Sequence, residues 1–333
     1  MGAGSIGGYL GGRLMAAGSD VVLVGRPSLG GEIAAHGLTI TDYLGYARTL
    51  AAGAVPYATQ ADALARCDFV LVTVKGPATE EAARELAPHL AQTAVVVSLQ
   101  NGVRNADVLR RALPGRRVLA GMVPFNVVRR DHGGFHRGTS GELVVEATPD
   151  GVERPLVGAL VAAGVPARAA TNLSGIQWGK LLLNLNNALN ALAGVPLLEQ
   201  IRDSGYRRVL AAAVAEALPL LRAAGIRPEV SLPLPLWALA PLLRMPSFVF
   251  TRVARRLMAI DPRARSSMWE DLERRRPTEI AQLNGEIVAL ARELRMRAPV
   301  NERIVALVGG AERRAEGSPR MSAAALVAAT LGG

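Results

Sequence analysis

The spacing of apolar residues changes along the chain, and the change divides the sequence into two parts. In the first part, continuous apolar runs of strand length such as Phe69–Val74 and Ala94–Leu99 alternate with helical patterns. Such runs are typical of parallel strands that are buried on both faces. From about Thr171 onward the strand pattern disappears. The sequence therefore predicts an α/β, Rossmann-like domain over residues 1–170 and an all-α domain over residues 171–333.

A glycine-rich segment at the start of the chain predicts a nucleotide-binding turn. Residues 2–7 have the spacing G-x-G-x-x-G, and a helical pattern and then a strand, Val21–Val24, follow them. In this context the glycines allow a tight turn and let the backbone approach a pyrophosphate at the helix N-terminus. The cofactor-binding residues predicted on this basis are Gly2, Gly4, Ser5, Ile6 and Gly7.

The strand that should precede this turn is missing from the sequence. The first strand of a doubly wound sheet is a central one, yet only Met1 stands before Gly2. Either the natural start of the polypeptide lies upstream of Met1, or the protein has lost a central strand. The intact pattern that follows favours the first explanation.

Arg26 bears on the choice of cofactor because it follows the strand Val21–Val24. A cofactor of the NAD type needs an Asp or Glu there for its ribose 2′-hydroxyl. A guanidinium, with the hydroxyl of Ser28 nearby, suits a 2′-phosphate, so the sequence favours NADP(H). The alternative is an exposed loop arginine.

Lysine is rare in this chain. Of 38 Lys and Arg residues only Lys75 and Lys180 are lysines, which suggests a chemical reason to keep them, because an ammonium can lose its proton and a guanidinium cannot. Lys75 and Asn101 each follow a buried strand, at the sheet edge where open α/β folds bind ligands. For Asn101 an ordinary turn residue is the alternative.

The second part contains two further candidate clusters. Lys180, Asn184 and Asn187 have helical i, i+4 and i+7 spacing in an apolar segment, which predicts one polar face and favours a ligand-binding cleft over a solvated stripe. Pro277 is predicted as the first residue of a helix, with Glu279 in its first turn, where the dipole favours an ionised carboxylate. On the residues alone, Glu279 and the serines before Met268 are equally explained as helix caps.

Composition excludes several classes of function. One cysteine and four scattered histidines indicate no internal disulfide and no metal site. The net charge of +10 comes from dispersed arginines with few aromatic residues, so nucleic acid is not expected, whereas anionic small substrates are favoured. We find no signal-peptide pattern, and the apolar stretch Val230–Phe250 contains four prolines and Arg244. A cytoplasmic protein without a membrane span is expected.

The whole sequence resembles the ketopantoate reductases (2-dehydropantoate 2-reductases). The matching segments, in chain order, are GAGSIGG, VKG at Lys75, QNGV at Asn101, GKLLLN at Lys180, and SSMWEDLERRRPTEIAQLNGEIV. The resemblance implies a Rossmann domain followed by a helical domain. It also implies NADPH-dependent reduction of 2-dehydropantoate to D-pantoate, on the route to pantothenate and coenzyme A.

The resemblance also implies roles for individual residues. Lys180 matches the general acid that protonates the ketone oxygen, and Glu279 matches an essential carboxylate beside the substrate. Lys75 matches a lysine on the cofactor side, and Asn101 matches a residue that is also near the nicotinamide. The substrate-binding residues implied are Asn101, Asn184, Asn187, Ser267 and Asp271.

Two departures from the family pattern affect the substrate side. The family's second asparagine, eight residues after the lysine, is Ala188 here, with Asn187 as a possible replacement one residue earlier. At a second position, where the family frequently has an asparagine, this sequence has Ala264. The expected partner is a small 2-oxo acid, bound by a monomer or a homodimer. The alternatives are another branched or aryl 2-oxo acid as substrate, or a nucleotide-binding protein without turnover.

Overall fold

The computed structural model describes residues 1–230, 235–250, 252 and 264–332. The chain forms two compact units, Met1–Leu173 and Ser174–Gly333. The first unit contains strands and helices, and the described residues of the second contain helices without strands. The predicted fold class, α/β followed by all-α, is confirmed.

The first unit contains three groups of strands. Five strands form a sheet in the order β11-β10-β7-β6-β5, with β5, β6 and β7 parallel. A four-stranded sheet has the order β3-β2-β9-β8, and β1 pairs with β4 in parallel. The strands are β1 (Leu23–Val24), β2 (Leu38–Asp42), β3 (Ala47–Leu50), β4 (Tyr57–Ala58), β5 (Phe69–Val72), β6 (Val95–Ser98), β7 (Arg117–Met122), β8 (Val127–Arg130), β9 (Gly134–Arg137), β10 (Leu143–Glu146) and β11 (Ala167–Ala170).

Five α-helices accompany these strands. They are α1 (Ser5–Ala16), α2 (Pro27–His36), α3 (Thr79–Leu86), α4 (Asn105–Ala112) and α5 (Arg154–Ala162), with short 3₁₀ helices at Ala61–Leu64 and Gly76–Ala78. Helix α1 packs closely on the four-stranded sheet because it has glycine where the two meet. A Cβ on Gly8 would lie 2.4 Å from the ring of Phe135, and one on Gly12 would lie 2.6 Å from Ile40.

Residues 1–3 are hydrogen-bonded on both sides. The amine of Met1 donates to the carbonyl of Leu71, and the amide of Thr73 donates to the carbonyl of Met1, both at 2.9 Å. On the other side, the amides of Gly2 and Ala3 both lie 2.9 Å from the carbonyl of Val24. The start of the chain therefore lies between β1 and β5, where the sequence pattern requires a central strand.

The described part of the second unit is built from helices around α9, a long central helix whose buried side chains include Val209, Val214, Ala217 and Leu220. The α-helices are α6 (Leu173–Asn184), α7 (Asn186–Ala193), α8 (Leu197–Arg202), α9 (Ser204–Ala223), α10 (Leu239–Leu243), α11 (Ser267–Glu273), α12 (Asn284–Glu293), α13 (Pro299–Arg314) and α14 (Ala323–Leu331).

The predicted helix at Pro277 is wrong. Helix α12 begins only at Asn284, and Glu279 lies in a bend before it. The amide of Thr278 donates to a carboxylate oxygen of Glu312, and the hydroxyl of Thr278 accepts from the amide of Ile280. These bonds take the backbone into turns instead of a helix, so the argument from the helix dipole does not apply to Glu279.

The continuous helix expected across Lys180 and Asn187 is divided at Leu185. Leu185 keeps right-handed helical angles, φ −55° and ψ −25°, and its amide donates to the carbonyl of Leu181 at 3.0 Å, but a new helix, α7, begins at the next residue. Lys180 and Asn184 share α6, whereas Asn187 belongs to α7. Asn187 is therefore positioned by the packing of a second helix.

The apolar stretch Val230–Phe250 contains short helical segments where the structure describes it. Residues 231–234 lie outside the described residues, and a 3₁₀ helix, Leu236–Ala238, leads into α10. No helix in the described parts of the chain has the length and apolar character needed to cross a membrane.

Candidate functional site

The glycine turn of the first unit requires glycine at two positions. Gly2 has φ +94°, and a Cβ there would lie 2.6 Å from the amide nitrogen of Val74. A Cβ on Gly7 would lie 2.5 Å from both the carbonyl of Gly2 and the hydroxyl of Thr73. The turn is thus packed directly against the end of β5.

The outer side of the same turn is open. Gly4 is exposed, and the nearest atom to a Cβ placed on it would be the carbonyl of Gly2 at 4.0 Å. In the described chain no side chain caps α1, and its first turn has no acidic residue. The amides of Ser5, Ile6 and Gly7 therefore lie at a helix N-terminus without a side-chain cap, an arrangement that suits an anion such as a pyrophosphate. The turn fits a dinucleotide.

Arg26 follows β1 as the residue before α2. Its carbonyl accepts a hydrogen bond from the hydroxyl of Tyr57 at 2.8 Å, and this bond fixes the backbone at Arg26. The Arg26 residue itself is exposed. Ser28 is exposed in the first turn of α2. The structure thus places Arg26 and Ser28 just beyond the carboxyl end of β1, as the sequence pattern predicted.

Lys75 and Asn101 follow β5 and β6, which are neighbouring parallel strands. Lys75 is exposed and Asn101 is half-buried. Their loops are joined by a buried polar network that the sequence analysis missed. The Gln100 amide donates to the carbonyl of Val74 at 3.1 Å and to the hydroxyl of Thr79 at 2.7 Å.

The same network continues to the start of α4. The hydroxyl of Thr79 lies 3.0 Å from Oδ1 of Asn105, and the Asn105 amide donates to the carbonyl of Asn101 at 2.5 Å. Gln100, Thr79 and Asn105 are all buried. Buried amides that are fully bonded hold loops in one arrangement, so these residues position Asn101. In the sequence, the only indication of this network was the presence of polar residues in and near the QNGV segment, such as Gln100 and Asn105.

Lys180 lies on α6 of the second unit in a setting that disfavours its charge. Burial lowers its pKa from 10.5 to about 8, and the charge of Glu279 acts in the opposite direction. The backbone of Glu229 packs against α6 next to Lys180, and the amide of Glu229 donates to the carbonyl of Gly175 at 2.9 Å. The residue as a whole is half-buried.

Gly179 is what allows this close backbone packing. A Cβ on Gly179 would lie 1.7 Å from the carbonyl oxygen of Glu229. Any side chain at this position would push the Glu229 segment away from α6. The close packing beside Lys180 therefore requires glycine at position 179. In the sequence, this requirement is visible as the Gly-Lys pair of GKLLLN.

The polar residues after Lys180 differ in their surroundings. Asn184, one helical turn later, is half-buried, and so is Asn187 on α7. Ala188, where the family has its second asparagine, is fully buried. A polar group at position 188 would point into the core, so Asn187 is the side chain that remains accessible on this part of α7.

Ser267 and Asp271 lie on α11, and α7 anchors the start of that helix. Ser266 is the cap: its hydroxyl accepts from the amide of Trp269 at 3.1 Å and donates to the carbonyl of Asn187. Its amide donates to Oδ1 of the fully buried Asn190 at 2.9 Å. Ser267 itself is exposed and Asp271 is half-buried. The capping alternative therefore applies to Ser266, and Asn187 lies beside the serine pair.

The turn that carries Glu279 is held by a second buried network. The Asn284 amide donates to Oδ1 of Asn301 at 3.1 Å. Asn301 donates in turn to one carboxylate oxygen of Glu216, and the amide of Val300 donates to the other. Both asparagines are fully buried. Sequence reasoning treated Asn284 only as part of a motif and missed its partners, which lie on α9 and α13.

The predicted site residues thus form two groups, one on each unit. The first unit carries the glycine turn, Arg26, Lys75 and Asn101. The second carries Lys180 with Glu279, and the residues of α6, α7 and α11 described above. No cluster of three or more His, Cys, Asp or Glu side chains suited to a metal ion occurs in the described ranges.

Known proteins similar to this chain cover nearly its whole length. The profile of the ketopantoate reductase PanE/ApbA family matches residues 1–150, and that of the family's C-terminal domain matches residues 172–312. A 2-dehydropantoate 2-reductase from Halobacterium salinarum is 28% identical over 317 residues, which cover 94% of this chain and 97% of the relative.

Solved structures agree with this assignment. A PanE/ApbA family ketopantoate reductase from Ralstonia eutropha JMP134 is 33% identical, with a TM-score of 0.81, covering 95% of this chain and 98% of the other. A D-mandelate dehydrogenase in complex with NADH and anilino(oxo)acetate shares the fold at 20% identity, with a TM-score of 0.77 and coverage of 94% and 97%. Because both family profiles match and the Ralstonia eutropha structure is similar over nearly its full length, the chain belongs to the ketopantoate reductase family.

Proposed function

We propose that this protein reduces 2-dehydropantoate to D-pantoate with NADPH, the step that leads to pantothenate and coenzyme A. The observation that carries the proposal is the pairing of Lys180, whose pKa lies at about 8, with the carboxylate of Glu279. A general acid is most effective when its pKa lies near the working pH.

In this proposal a bound nicotinamide nucleotide supplies the hydride for the keto carbon. The ammonium of Lys180 stabilises the negative charge that develops on the ketone oxygen and donates the proton that completes the alcohol. Glu279 favours the protonated lysine before the reaction and accepts a hydrogen bond from the substrate hydroxyl. Asn184, Asn187, Ser267 and Asp271 supply further polar contacts to the substrate.

On the first unit, the open glycine turn binds the pyrophosphate at the amides of Ser5, Ile6 and Gly7. Arg26, with Ser28, binds the 2′-phosphate of NADPH. Lys75 lies on the cofactor side, and Asn101 lies near the nicotinamide and the substrate. The choice of NADPH rests on the exposure of the Arg26 residue and on the absence of an acidic residue from residues 25–28, which follow β1.

The reaction is tested by following NADPH absorbance after adding 2-dehydropantoate. We expect Lys180→Met to lower kcat by about 10²–10⁴-fold while NADPH binding, followed by fluorescence, persists. Lys75→Met is the matched control, because it removes the other lysine and should raise the KM for NADPH more than it lowers kcat. Near-normal kcat in Lys180→Met would remove this lysine from the mechanism.

The cofactor preference has its own test. Arg26→Ala should weaken NADPH binding about 10–100-fold and change NADH binding less than about twofold, because only NADPH has the phosphate that the guanidinium would contact. The control is Arg48→Ala, which removes an exposed arginine on β3. Equal losses for both nucleotides would mean that Arg26 does not contact the 2′-phosphate.

A second candidate substrate is another branched or aryl 2-oxo acid. The observation in its favour is the departure from the family pattern at two positions, where Ala188 and Ala264 stand in place of asparagines. The D-mandelate dehydrogenase that shares the fold holds NADH and an aryl oxoacid analogue. Comparing kcat/KM for 2-dehydropantoate, 2-oxoisovalerate and benzoylformate distinguishes the two. NADPH binding without oxidation of any of them would favour a non-catalytic protein.

A further inference from the structure

Glu279 lies in a turn, residues 278–280, whose course the neighbouring sequence does not explain. Pro277 is suited to begin a helix, and in such a helix Glu279 would belong to the first turn. The chain instead bends, and α12 begins only at Asn284. Contacts from distant parts of the second unit therefore hold this turn, and they decide where the carboxylate of Glu279 lies.

The backbone is anchored on both sides of Glu279. Thr278 and Ile280 are buried, each with 6% of the residue exposed, whereas Glu279 between them is half-buried. The amide of Ile280 donates to the hydroxyl of Thr278 at 3.2 Å, and the carbonyl of Ile280 accepts from the amide of Gly285 at 2.9 Å. The position of Glu279 is therefore set by the positions of its two neighbours.

A carboxylate from a distant helix anchors Thr278. Oε1 of Glu312, near the end of α13, accepts from the amide of Thr278 at 2.7 Å. Leaving a buried amide without an acceptor is unfavourable, and a hydrogen bond to an ionised group is stronger than one between neutral groups. Glu312 thus makes a strong contact at the point where the chain leaves the helical course that Pro277 favours.

The local surroundings of Glu312 do not favour a glutamate. It lies in the last turn of α13, where the negative end of the helix dipole disfavours a carboxylate. The next two residues, Arg313 and Arg314, are of the type that suits a helix C-terminus. The contact with the amide of Thr278, 34 positions away in the sequence, accounts for a carboxylate at this place.

The effect of this contact reaches Lys180 through Glu279. Burial lowers the pKa of Lys180 to about 8, and the charge of Glu279 acts in the opposite direction. Glu229 also lies next to α6, but its backbone makes the close contact there and the residue is exposed. The interaction of two charges depends on their separation, so a displacement of the turn at residues 278–280 would change the charge state of Lys180.

We infer that Glu312 is a positioning residue, whose carboxylate holds the turn at residues 278–280 and so keeps Glu279 beside Lys180. The inference rests on the proposed function, because it takes the pairing of Lys180 with Glu279 as the centre of the site. It extends that proposal to a residue of α13 that acts through the backbone of the turn. The hydrogen bond that Glu312 accepts is therefore required, and its charge is not.

The test separates the hydrogen bond from the charge by three substitutions at one position. Glu312→Gln removes the charge and keeps an oxygen that can accept from the amide of Thr278. Glu312→Asp keeps the charge but shortens the side chain by one carbon–carbon bond, about 1.5 Å, which takes the oxygen out of hydrogen-bond range. Glu312→Ala removes both. The matched control is Glu302→Ala, which removes an exposed glutamate from the first turn of the same helix.

The readout is the titration midpoint of Lys180, followed by NMR of the lysine ε-carbon in the full chain without nucleotide or substrate. We expect Glu312→Ala and Glu312→Asp to lower the midpoint by about one pH unit, close to the value in Glu279→Gln. Glu312→Gln and Glu302→Ala should change it by less than about 0.3 pH unit. In the Glu279→Gln background, Glu312→Ala should lower the midpoint no further, because its effect passes through the charge of Glu279.

Three results would overturn the inference: an unchanged midpoint in Glu312→Ala, an equal lowering in Glu312→Gln, or a lowering by Glu312→Ala that persists in the Glu279→Gln background. If circular dichroism shows that Glu312→Ala does not fold, Glu312→Asp decides in the same way. Failure of both to fold would make Glu312 a residue needed for folding and would also overturn the inference.

The same measurements distinguish failure of this inference from failure of the proposed function. An unchanged midpoint in Glu279→Gln refutes the pairing of Lys180 with Glu279, and the positioning role of Glu312 falls with it. A lowered midpoint in Glu279→Gln without one in Glu312→Ala or Glu312→Asp refutes the positioning role alone and leaves the pairing intact.

Discussion

The interaction of Glu279 with Lys180 leads to a quantitative prediction about a proton. With a pKa of about 8, Lys180 is about 90% protonated at pH 7. Burial lowers this pKa, and the charge of Glu279 partly offsets the effect. An opposite charge close to an ionisable group shifts its pKa by about one unit or more. Glu279→Gln should therefore lower the pKa of Lys180 to about 7 or below, leaving about half or less of it protonated at pH 7.

The chain is well suited to a direct measurement because it contains only two lysines. In protein labelled with ¹³C at the lysine ε-carbon, two signals are expected, and Lys75→Arg assigns them. Titration should give one lysine with a pKa of about 8, and Glu279→Gln should shift that midpoint downward. The control is Glu270→Gln, which removes a carboxylate that is 52% exposed and pairs with Arg274 on the same helix.

The kinetic profile gives a second readout of the same proton. If Lys180 donates it, kcat/KM for NADPH oxidation should be constant below pH 8 and fall about tenfold per pH unit above it, since only the protonated lysine is active. In Glu279→Gln the fall should begin about one unit lower. A Lys180 midpoint near 10.5 would refute the effect of burial, and an unchanged midpoint in Glu279→Gln would refute the interaction with Glu279.

Two further predictions concern glycines that the structure places against backbone. Gly7→Ala would bring a Cβ to 2.5 Å from atoms of the glycine turn and the end of β5, so NADPH should bind about tenfold more weakly or worse by fluorescence titration. Gly31→Ala on α2, where a Cβ has open space, should bind normally. Gly179→Ala, with its Cβ 1.7 Å from the carbonyl of Glu229, should lower Tm by about 5 °C or more in a thermal scan. Gly158→Ala, also in open space, should change Tm little, and equal effects of the two would contradict the packing argument.

The features that depend on local spacing were predictable from the sequence. Patterns a few residues long predicted the glycine turn, the strands before Lys75 and Asn101, and the change from α/β to all-α. The structure has these features in the predicted order. Backbone periodicity and glycine conformation suffice for all of these.

The surroundings of the candidate site depend on residues far apart in the chain. Pro277 has a good local signal for a helix start, yet the carboxylate of Glu312, on α13, binds the next amide and the helix begins seven residues later. The separation of Asn187 from the helix of Lys180 was equally hidden from the sequence.

The same holds for the lowered pKa of Lys180 and for the amides that position Asn101. Burial and hydrogen-bond partners are set by contacts between distant segments, such as Glu229 against α6 and Gln100 against Thr79. Periodicity reports which side of an element is apolar, but it contains no information on which distant group will meet that side. Residue types and their order along the chain therefore follow from local chemistry, whereas the charge state and orientation of the site residues follow from long-range packing.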